Sequence, residues 1–253
     1  MPETLYISTS AHLSHQHIIL KSLLLVVDRK IIVTADGSHS VQIEGTALTY
    51  HSLHGAIQES QHVFIEAGLM PWLQKEQKQL RIFEMGFGTG LNALLTWLQA
   101  KQAQQSVHYI SIEQFPLNVQ QATSLNYCTQ LNLPDWEPAF LSMHHSAWNQ
   151  ANQLDPYFTL HKIQSSISDL VLQAAPFHLF YFDAFAPTAQ PELWTEDIFK
   201  KLFTLAAPGA TLLTYCSKGI VRRAMQAAGW QVTKIPGPPR KREMVRASKN
   251  TAH

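Results

Sequence analysis

The sequence predicts an α/β fold on a mainly parallel sheet, and three observations carry that prediction. An apolar stretch from Leu80 to Phe83 runs into glycines at every second position, Gly86, Gly88 and Gly90, and a helical pattern follows from Leu91. Apolar runs at 107–112, 178–182 and 211–215 alternate with helical stretches, as strands joined by crossover helices do. Glu113 and Asp183 end two of those runs, where open sheets of this kind bind ligands.

Composition sets the frame for these elements. A chain of 253 residues, 45% hydrophobic and 15% charged, has room for one α/β domain with a decorated edge. Nineteen Lys and Arg against 18 Asp and Glu leave a net charge of +1, which excludes a uniformly basic coat while leaving room for a local basic patch. Cys128 and Cys216 are too few and too far apart for a disulfide framework, so a reducing, cytoplasmic setting is expected. The apolar segment 18–27 is short and broken by Lys21; neither a membrane span nor a signal peptide is expected. The expected divisions are a peripheral extension over 1–30, an appendage over 31–75, the main domain over 76–247 and a tail over 248–253.

The elements follow in order. Residues 31–43 place β-branched residues on both sides of Asp36-Gly37, a hairpin cue. Ile57, Val63, Phe64 and Leu69 then recur at near-helical spacing over 52–69, with Gly68 and Pro71 expected to close that helix. A helix over 191–206 opens with Pro191, aligns Ile198, Leu202 and Leu205, and is expected to end at Pro208-Gly209. A second, over 218–228, aligns Val221, Ala224, Met225 and Ala228 and stops at Gly229. Strands at 230–235 and 243–247 close the chain, joined by a proline-rich basic loop.

Glycines at 86, 88 and 90 remove the Cβ atoms that would hold backbone away from a ligand, and the helix that follows points free N–H groups over the turn. A dinucleotide fingerprint needs its third glycine at position 91, which is Leu. The acidic-x-G-x-G-x-G run from Glu84 instead has the form found in S-adenosylmethionine (SAM) methyltransferases. Glu113, 27 positions after Gly86 (113 − 86), is placed to accept both ribose hydroxyls from the end of the second strand. Asp183 ends a strand of aromatic residues and precedes Pro187. There it can hydrogen-bond an amine that receives a methyl group, or simply cap the following segment.

Taken together, Glu84-Met-Gly-Phe-Gly-Thr-Gly-Leu-Asn92, Glu113-Gln-Phe-Pro116, Phe182-Asp-Ala-Phe-Ala-Pro187, Pro191-Glu-Leu-Trp-Thr195, Val221-Arg-Arg223 and Arg240-Lys-Arg-Glu-Met244 resemble the MnmC-type methyltransferase domain. The likeness covers roughly residues 31–247 and is closest to the stand-alone, MnmD-like form without an FAD-dependent oxidase domain. The resemblance implies a class I SAM-dependent methyltransferase with a Rossmann-like, seven-stranded mixed sheet ending in an antiparallel hairpin. It implies methyl transfer to the exocyclic amine of 5-aminomethyl-(2-thio)uridine at the tRNA wobble position, downstream of the enzymes that install the aminomethyl group. No metal and no FAD are implied. Glu84, Gly86, Phe87, Gly88, Thr89, Gly90, Asn92, Glu113 and Ser166 become the expected SAM-binding residues, and Asp183 the acid beside the accepting nitrogen. Phe185 and Trp194 become candidates for stacking on a splayed wobble base, and Arg222, Arg240, Lys241 and Arg242 for contacting phosphates of the anticodon loop.

Ser166 stands where the family carries an Asp that recognises the adenine amine; Ser can make one hydrogen bond, and Asp169 is one turn on. His51 and His54 lack a third ligand of convincing spacing for zinc. Two other readings stay open. A small-molecule amine methyltransferase would share the glycine turn and both acids without needing the basic loop, and a non-catalytic RNA-binding module is suggested by Ser166.

Overall fold

The structure is a computed structural model that describes residues 28–172 and 176–251. Residues 1–27 of the expected extension over 1–30, with the apolar segment 18–27, lie outside the described residues, as does the end of the tail.

The chain opens with an antiparallel pair, β1 (Arg29–Val33) and β2 (His39–Ile43). Their connection is five residues rather than a two-residue turn. Asp36 organises it by accepting from the Thr34 hydroxyl at 2.8 Å, the Ser38 N–H at 3.0 Å and the Gln58 N–H at 3.0 Å, while Gly37 takes a φ of 81°. A helix follows in three parts: α1 (Ala56–Ser60), a π-helical stretch (Gln61–Leu69) and α2 (Met70–Leu73). Gly68 and Pro71 do not end it, contrary to expectation. A Cβ on Gly68 would make ordinary van der Waals contact with Leu213 and Tyr181 at 3.4–3.5 Å, and Pro71 sits in the first turn of α2, where a missing N–H is tolerated.

Among the described residues the main sheet has eight strands, in the order β5-β6-β4-β3-β7-β8-β10-β9. They are β3 (Leu80–Met85), β4 (Val107–Glu113), β5 (Gln150–Asp155), β6 (Phe158–Gln164), β7 (Phe177–Phe182), β8 (Ala206–Thr214), β9 (Gln231–Pro236) and β10 (Glu243–Ser248). Strands β6, β4, β3, β7 and β8 are parallel, and β10 runs antiparallel to β8 and β9. The eighth strand corrects the expected seven. β5 pairs antiparallel with β6 at the edge, and its sequence, QANQLD, has no apolar alternation; its Leu154 packs, half-buried, against the core.

Neighbouring residues on each central strand serve opposite faces. Ile82, Tyr109, Leu179, Tyr181 and Leu213 face one apolar cluster, shared with Val63, Phe64, Leu69 and Trp72 of the three-part helix and with α3 (Leu91–Gln102). Phe83, Ile110, Phe180, Phe182 and Leu212 face the other, covered by α7 (Glu196–Leu205) and α8 (Gly219–Ala227). Between β4 and β5 run the short helices α4 (Val119–Thr123), α5 (Tyr127–Gln130) and α6 (Glu137–His145). β8 begins at Ala206 directly after α7, so Pro208-Gly209 lies within the strand; a register shift against β7 accommodates it.

Phe64 is 1% exposed, its ring centroid 5.0 Å from that of Tyr181 on β7. Phe64→Ala should cost about 3–5 kcal/mol of stability for the whole chain, through lost burial and the cavity left behind. Denaturant unfolding measures it, and a loss below about 1 kcal/mol would show that the helix contributes little to this core.

Candidate active site

The carboxyl ends of β3, β4 and β7 surround a cleft enclosing about 980 Å³ including its open mouth. Its base is the glycine turn. Gly86, Gly88 and Gly90 have φ values of 93°, 50° and 73°, so each needs the left-handed freedom of glycine. A Cβ on Gly86 would also stand 3.0 Å from the Asp183 carbonyl oxygen, the tightest constraint on how close β3 and β7 approach. The turn is pinned by the Gly86 and Phe87 N–H groups, which donate to the Ile112 carbonyl at 3.0 and 3.2 Å.

Glu113 lines the cleft at the end of β4. Its carboxylate accepts from the Gly88 N–H at 3.1 Å and the Phe115 N–H at 2.8 Å, which fixes its direction. The loop carrying Phe115 is held by Arg29, which donates to the Phe115 and Pro116 carbonyls at 2.8 Å each. Asp183 lines the opposite wall, and its Oδ2 accepts from the Asn92 amide at 2.9 Å. Burial, together with the negative charge of Glu59, pushes the Asp183 carboxyl up to about 7.

Ser166 also lines the cleft, beside Ser165. Its hydroxyl donates to Asp169 Oδ2 at 2.7 Å, and the Asp169 N–H donates back to that hydroxyl at 3.2 Å. Ser166 thus stands at the cleft hydrogen-bonded to Asp169, which does not itself line it.

Phe87, Thr89, Asn92 and Phe185 line the cleft as well. Phe87 is 4% exposed and packs edge-on against His144 and Trp148. The backbone of Thr89 is held by His144 Nε2, which donates to its carbonyl at 3.2 Å. Phe185 meets Tyr50 edge-on with centroids 5.3 Å apart.

Glu84, Gly90, Trp194, Arg222, Arg240, Lys241 and Arg242 do not line the cleft, a Cβ at Gly90 meeting His144 and Phe87 instead. Glu84 is buried within β3, accepting from the Ser111 hydroxyl at 2.6 Å, and burial pushes it up to about 8. Trp194 is 4% exposed and donates its indole N–H to the Phe185 carbonyl at 2.8 Å, so it props Phe185 from behind. Lys241 is paired with Glu59 at 2.6 Å and lies 4.3 Å from the Tyr215 ring centroid. Arg240 and Arg242 are exposed on the loop between β9 and β10, Arg240 at a φ of 69° and 3.3 Å from His54 Nδ1.

Sequence reasoning missed Tyr50 as a cleft residue and the orientation of His51. His51 is buried, with its Nε2 2.7 Å from the Thr89 hydroxyl, and burial lowers it to about 4, so it is neutral at physiological pH. The positions of both were visible just after the hairpin, but nothing local marks a residue that crosses to another segment. Among the described residues, no group of three or more His, Cys, Asp or Glu is arranged to hold a metal, and no helix is long and apolar enough to cross a membrane.

Because Glu84 and Asp183 are raised in the folded state, the native chain binds protons that the unfolded chain has released. Their contribution to stability is full below the ordinary carboxylate range and is lost as pH rises through about 7 to 8. Tm is expected to fall between about pH 4 and pH 8, and Glu84→Gln should flatten that fall. An equally steep fall in the variant would assign it to other groups.

The residues present fit SAM: Gly86 and Gly88 line the cleft without side chains, the anchored Glu113 carboxylate would accept from ribose hydroxyls, and Ser166 would offer a hydroxyl beyond it. A family described as S-adenosyl-L-methionine-dependent methyltransferase matches residues 141–250. The chain is similar to the tRNA 5-methylaminomethyl-2-thiouridine biosynthesis bifunctional protein MnmC of Cupriavidus metallidurans, 33% identical over 207 residues, which is 77% of this chain and 30% of that protein. It is 30% identical over 239 residues to the protein of the same name from Burkholderia pseudomallei, covering 87% of this chain and 35% of that one. The chain thus spans about a third of the length of these relatives. Its fold resembles the crystal structure of MNMC2 from Aquifex aeolicus, with a TM-score of 0.72 and 21% identity over 98% of this chain and 80% of that one.

Fold and site together define a SAM-dependent methyltransferase of the α/β class. Within that class the chain is similar to the MnmC proteins over about a third of their length, and that similarity supports an MnmC/MnmD-like methyltransferase.

Proposed function

We propose that the enzyme methylates the exocyclic amine of 5-aminomethyl-(2-thio)uridine at the tRNA wobble position, giving the 5-methylaminomethyl nucleoside. The observation that carries this is the placing of two carboxylates on one cleft, Glu113 beside the glycine turn and Asp183 across from it, with Phe185 and Tyr50 at the rim. The names of its relatives point to the same nucleoside.

Gly86, Gly88, Glu113 and Ser166 would hold SAM, which when bound supplies a methyl group already activated by its sulfonium. Asp183 hydrogen-bonds the acceptor amine, orients its lone pair and takes the proton that the nitrogen sheds. Phe185, braced by Trp194, and Tyr50 offer aromatic surface to a base splayed out of a single-stranded loop. The acceptor must already carry its aminomethyl group, so the reaction follows the one that installs it. We place it in the cytoplasm, on the anticodon loop of cellular tRNA.

Arg222 of α8 and Arg242 of the β9–β10 loop both help to hold the Glu243 carboxyl below its ordinary value, and we read them with exposed Arg240 as one basic surface. That surface is the proposed phosphate contact. The double variant Arg240→Glu, Arg242→Glu is expected to raise KM for tRNA more than about tenfold and to flatten its salt dependence, while methylation of the isolated nucleoside is unchanged. Equal loss on nucleoside and tRNA would remove the surface from tRNA binding. The direct test of function is nucleoside mass spectrometry of tRNA bearing 5-aminomethyluridine after incubation with enzyme and SAM. One added methyl group on that nucleoside is expected; an unmodified nucleoside under conditions where calorimetry shows SAM bound would refute the assignment and favour a small-molecule amine as acceptor.

A further inference from the structure

We propose that Lys241 and Glu59 form a clasp across the acceptor side of the cleft, tying the segment that carries Tyr50 to the wall that carries Asp183 and Phe185, with Lys241 a positioning residue and not a phosphate contact. The proposal rests on the reading that the acceptor enters between Tyr50 and Phe185 and meets Asp183.

Glu59 is the fixed half of the clasp. It lies in α1, is 9% exposed, and divides its two oxygens: Oε2 accepts from the Ser52 N–H at 2.9 Å and Oε1 from Lys241 Nζ at 2.6 Å. Ser52 follows Tyr50 by two positions, so this bond holds the backbone on which the Tyr50 ring is carried. That ring stands beside the glycine turn, where a Cβ on Gly88 would come within 3.2 Å of it, and it meets Phe185 edge-on at 5.3 Å. Burying a carboxylate to this depth is costly without an opposite charge, which Lys241 supplies.

Lys241 reaches the opposite wall. Its ammonium lies 4.3 Å from the centroid of the Tyr215 ring, the Tyr215 hydroxyl donates to the Ala184 carbonyl at 2.9 Å, and Tyr215 packs edge-on against Trp194 with centroids 6.1 Å apart. Trp194 in turn donates to the Phe185 carbonyl at 2.8 Å. The carbonyls of the two residues after Asp183 are thus each held by an aromatic donor, and Lys241 covers the first of those donors. The loop that delivers it folds tightly because Gly237 has no side chain: a Cβ there would stand 2.5 Å from the Lys241 carbonyl oxygen. Arg240 adds a second tie to the same segment, donating to His54 Nδ1 at 3.3 Å. A phosphate could engage the Lys241 ammonium only by drawing it from both the carboxylate and the ring, whereas Arg242, next to it, is exposed.

The test compares methylation of tRNA bearing 5-aminomethyluridine with methylation of the isolated nucleoside, read beside SAM affinity by calorimetry and the salt dependence of tRNA binding. It uses the full-length wild type, Lys241→Met, Lys241→Arg, Glu59→Gln and Tyr215→Phe. Lys241→Met and Glu59→Gln each loosen the rim that both substrates meet, so kcat should fall about tenfold on tRNA and on nucleoside alike. SAM affinity should stay within about threefold of wild type, and the slope of log Kd for tRNA against log salt should not move. Lys241→Arg, which can meet both Glu59 and the Tyr215 ring, should recover most of the loss. Should Lys241→Met fail to fold, Tyr215→Phe reads the same clasp by removing only the hydroxyl that holds Ala184, and kcat should fall about threefold on both substrates. A loss confined to tRNA, with a salt slope smaller by about one, would overturn the clasp and make Lys241 a phosphate contact. Unchanged kcat on the nucleoside in Lys241→Met or Tyr215→Phe would overturn it as well. A wild-type enzyme that methylates neither substrate would instead refute the acceptor assigned above. Amide hydrogen exchange then decides the clasp: faster exchange over both 50–55 and 183–190 is expected in Lys241→Met, and unchanged exchange over 183–190 would overturn it.

Discussion

Asp183→Asn is expected to lower kcat by about 10² to 10⁴, the range over which a positioned acid–base group acts, while SAM binds with unchanged affinity. The substitution keeps the shape of the side chain and removes the charge that accepts from the amine. The Asn92 donor, 2.9 Å away, would then face an amide that can turn either its oxygen or its NH₂ toward it, so direction is lost as well as charge. The pH profile gives a second readout. In the free wild-type enzyme the carboxyl sits at about 7, so kcat/KM should rise with pH through that value as the accepting form appears. In the variant this limb should vanish, leaving only the limb that belongs to the amine. Single-turnover methylation at saturating SAM is the decisive measurement, and a variant within about threefold of wild type would take Asp183 out of the mechanism.

The second large effect is expected at Glu113. Two ribose hydroxyls donating to one carboxylate are worth about 1.5–3 kcal/mol each, so Glu113→Ala should weaken SAM binding by about 10² or more. The loss has two sources here. Ribose contacts disappear, and the Gly88 N–H loses its acceptor at 3.1 Å, which loosens the middle of the glycine turn. Glu113→Gln separates them: its amide oxygen can still accept from Gly88, so that variant should be the milder. Calorimetric titration with SAM checks both, and wild-type affinity in Glu113→Ala would place the ribose elsewhere.

Much of this arrangement is legible in the order of residues along the chain. Strand positions for β3, β4, β7 and β8 follow from apolar runs, because a buried parallel strand is apolar on both faces. β5 is not legible, since an edge strand made of polar residues is specified by its partner and not by its own pattern. The glycine turn and the acids at 113 and 183 can be read from local order, and the fold brings all of them to one cleft. The basic loop can be read as charge, but the charges differ in what they meet: Lys241 is taken by Glu59, while Arg240 and Arg242 face outward.

The sheet's central strands, the glycine turn and the identity of the carboxylates that end strands are properties of the sequence alone, because each depends on the spacing of residues along one segment. Tertiary packing was needed to decide that Ser166 hydrogen-bonds Asp169, that Trp194 braces Phe185 from behind, that Tyr50 reaches the cleft, and that Asn92 donates to Asp183. Each of those depends on side chains from separate segments meeting at hydrogen-bond or van der Waals distance. Such meetings are fixed by how layers pack onto the sheet, which no local pattern records.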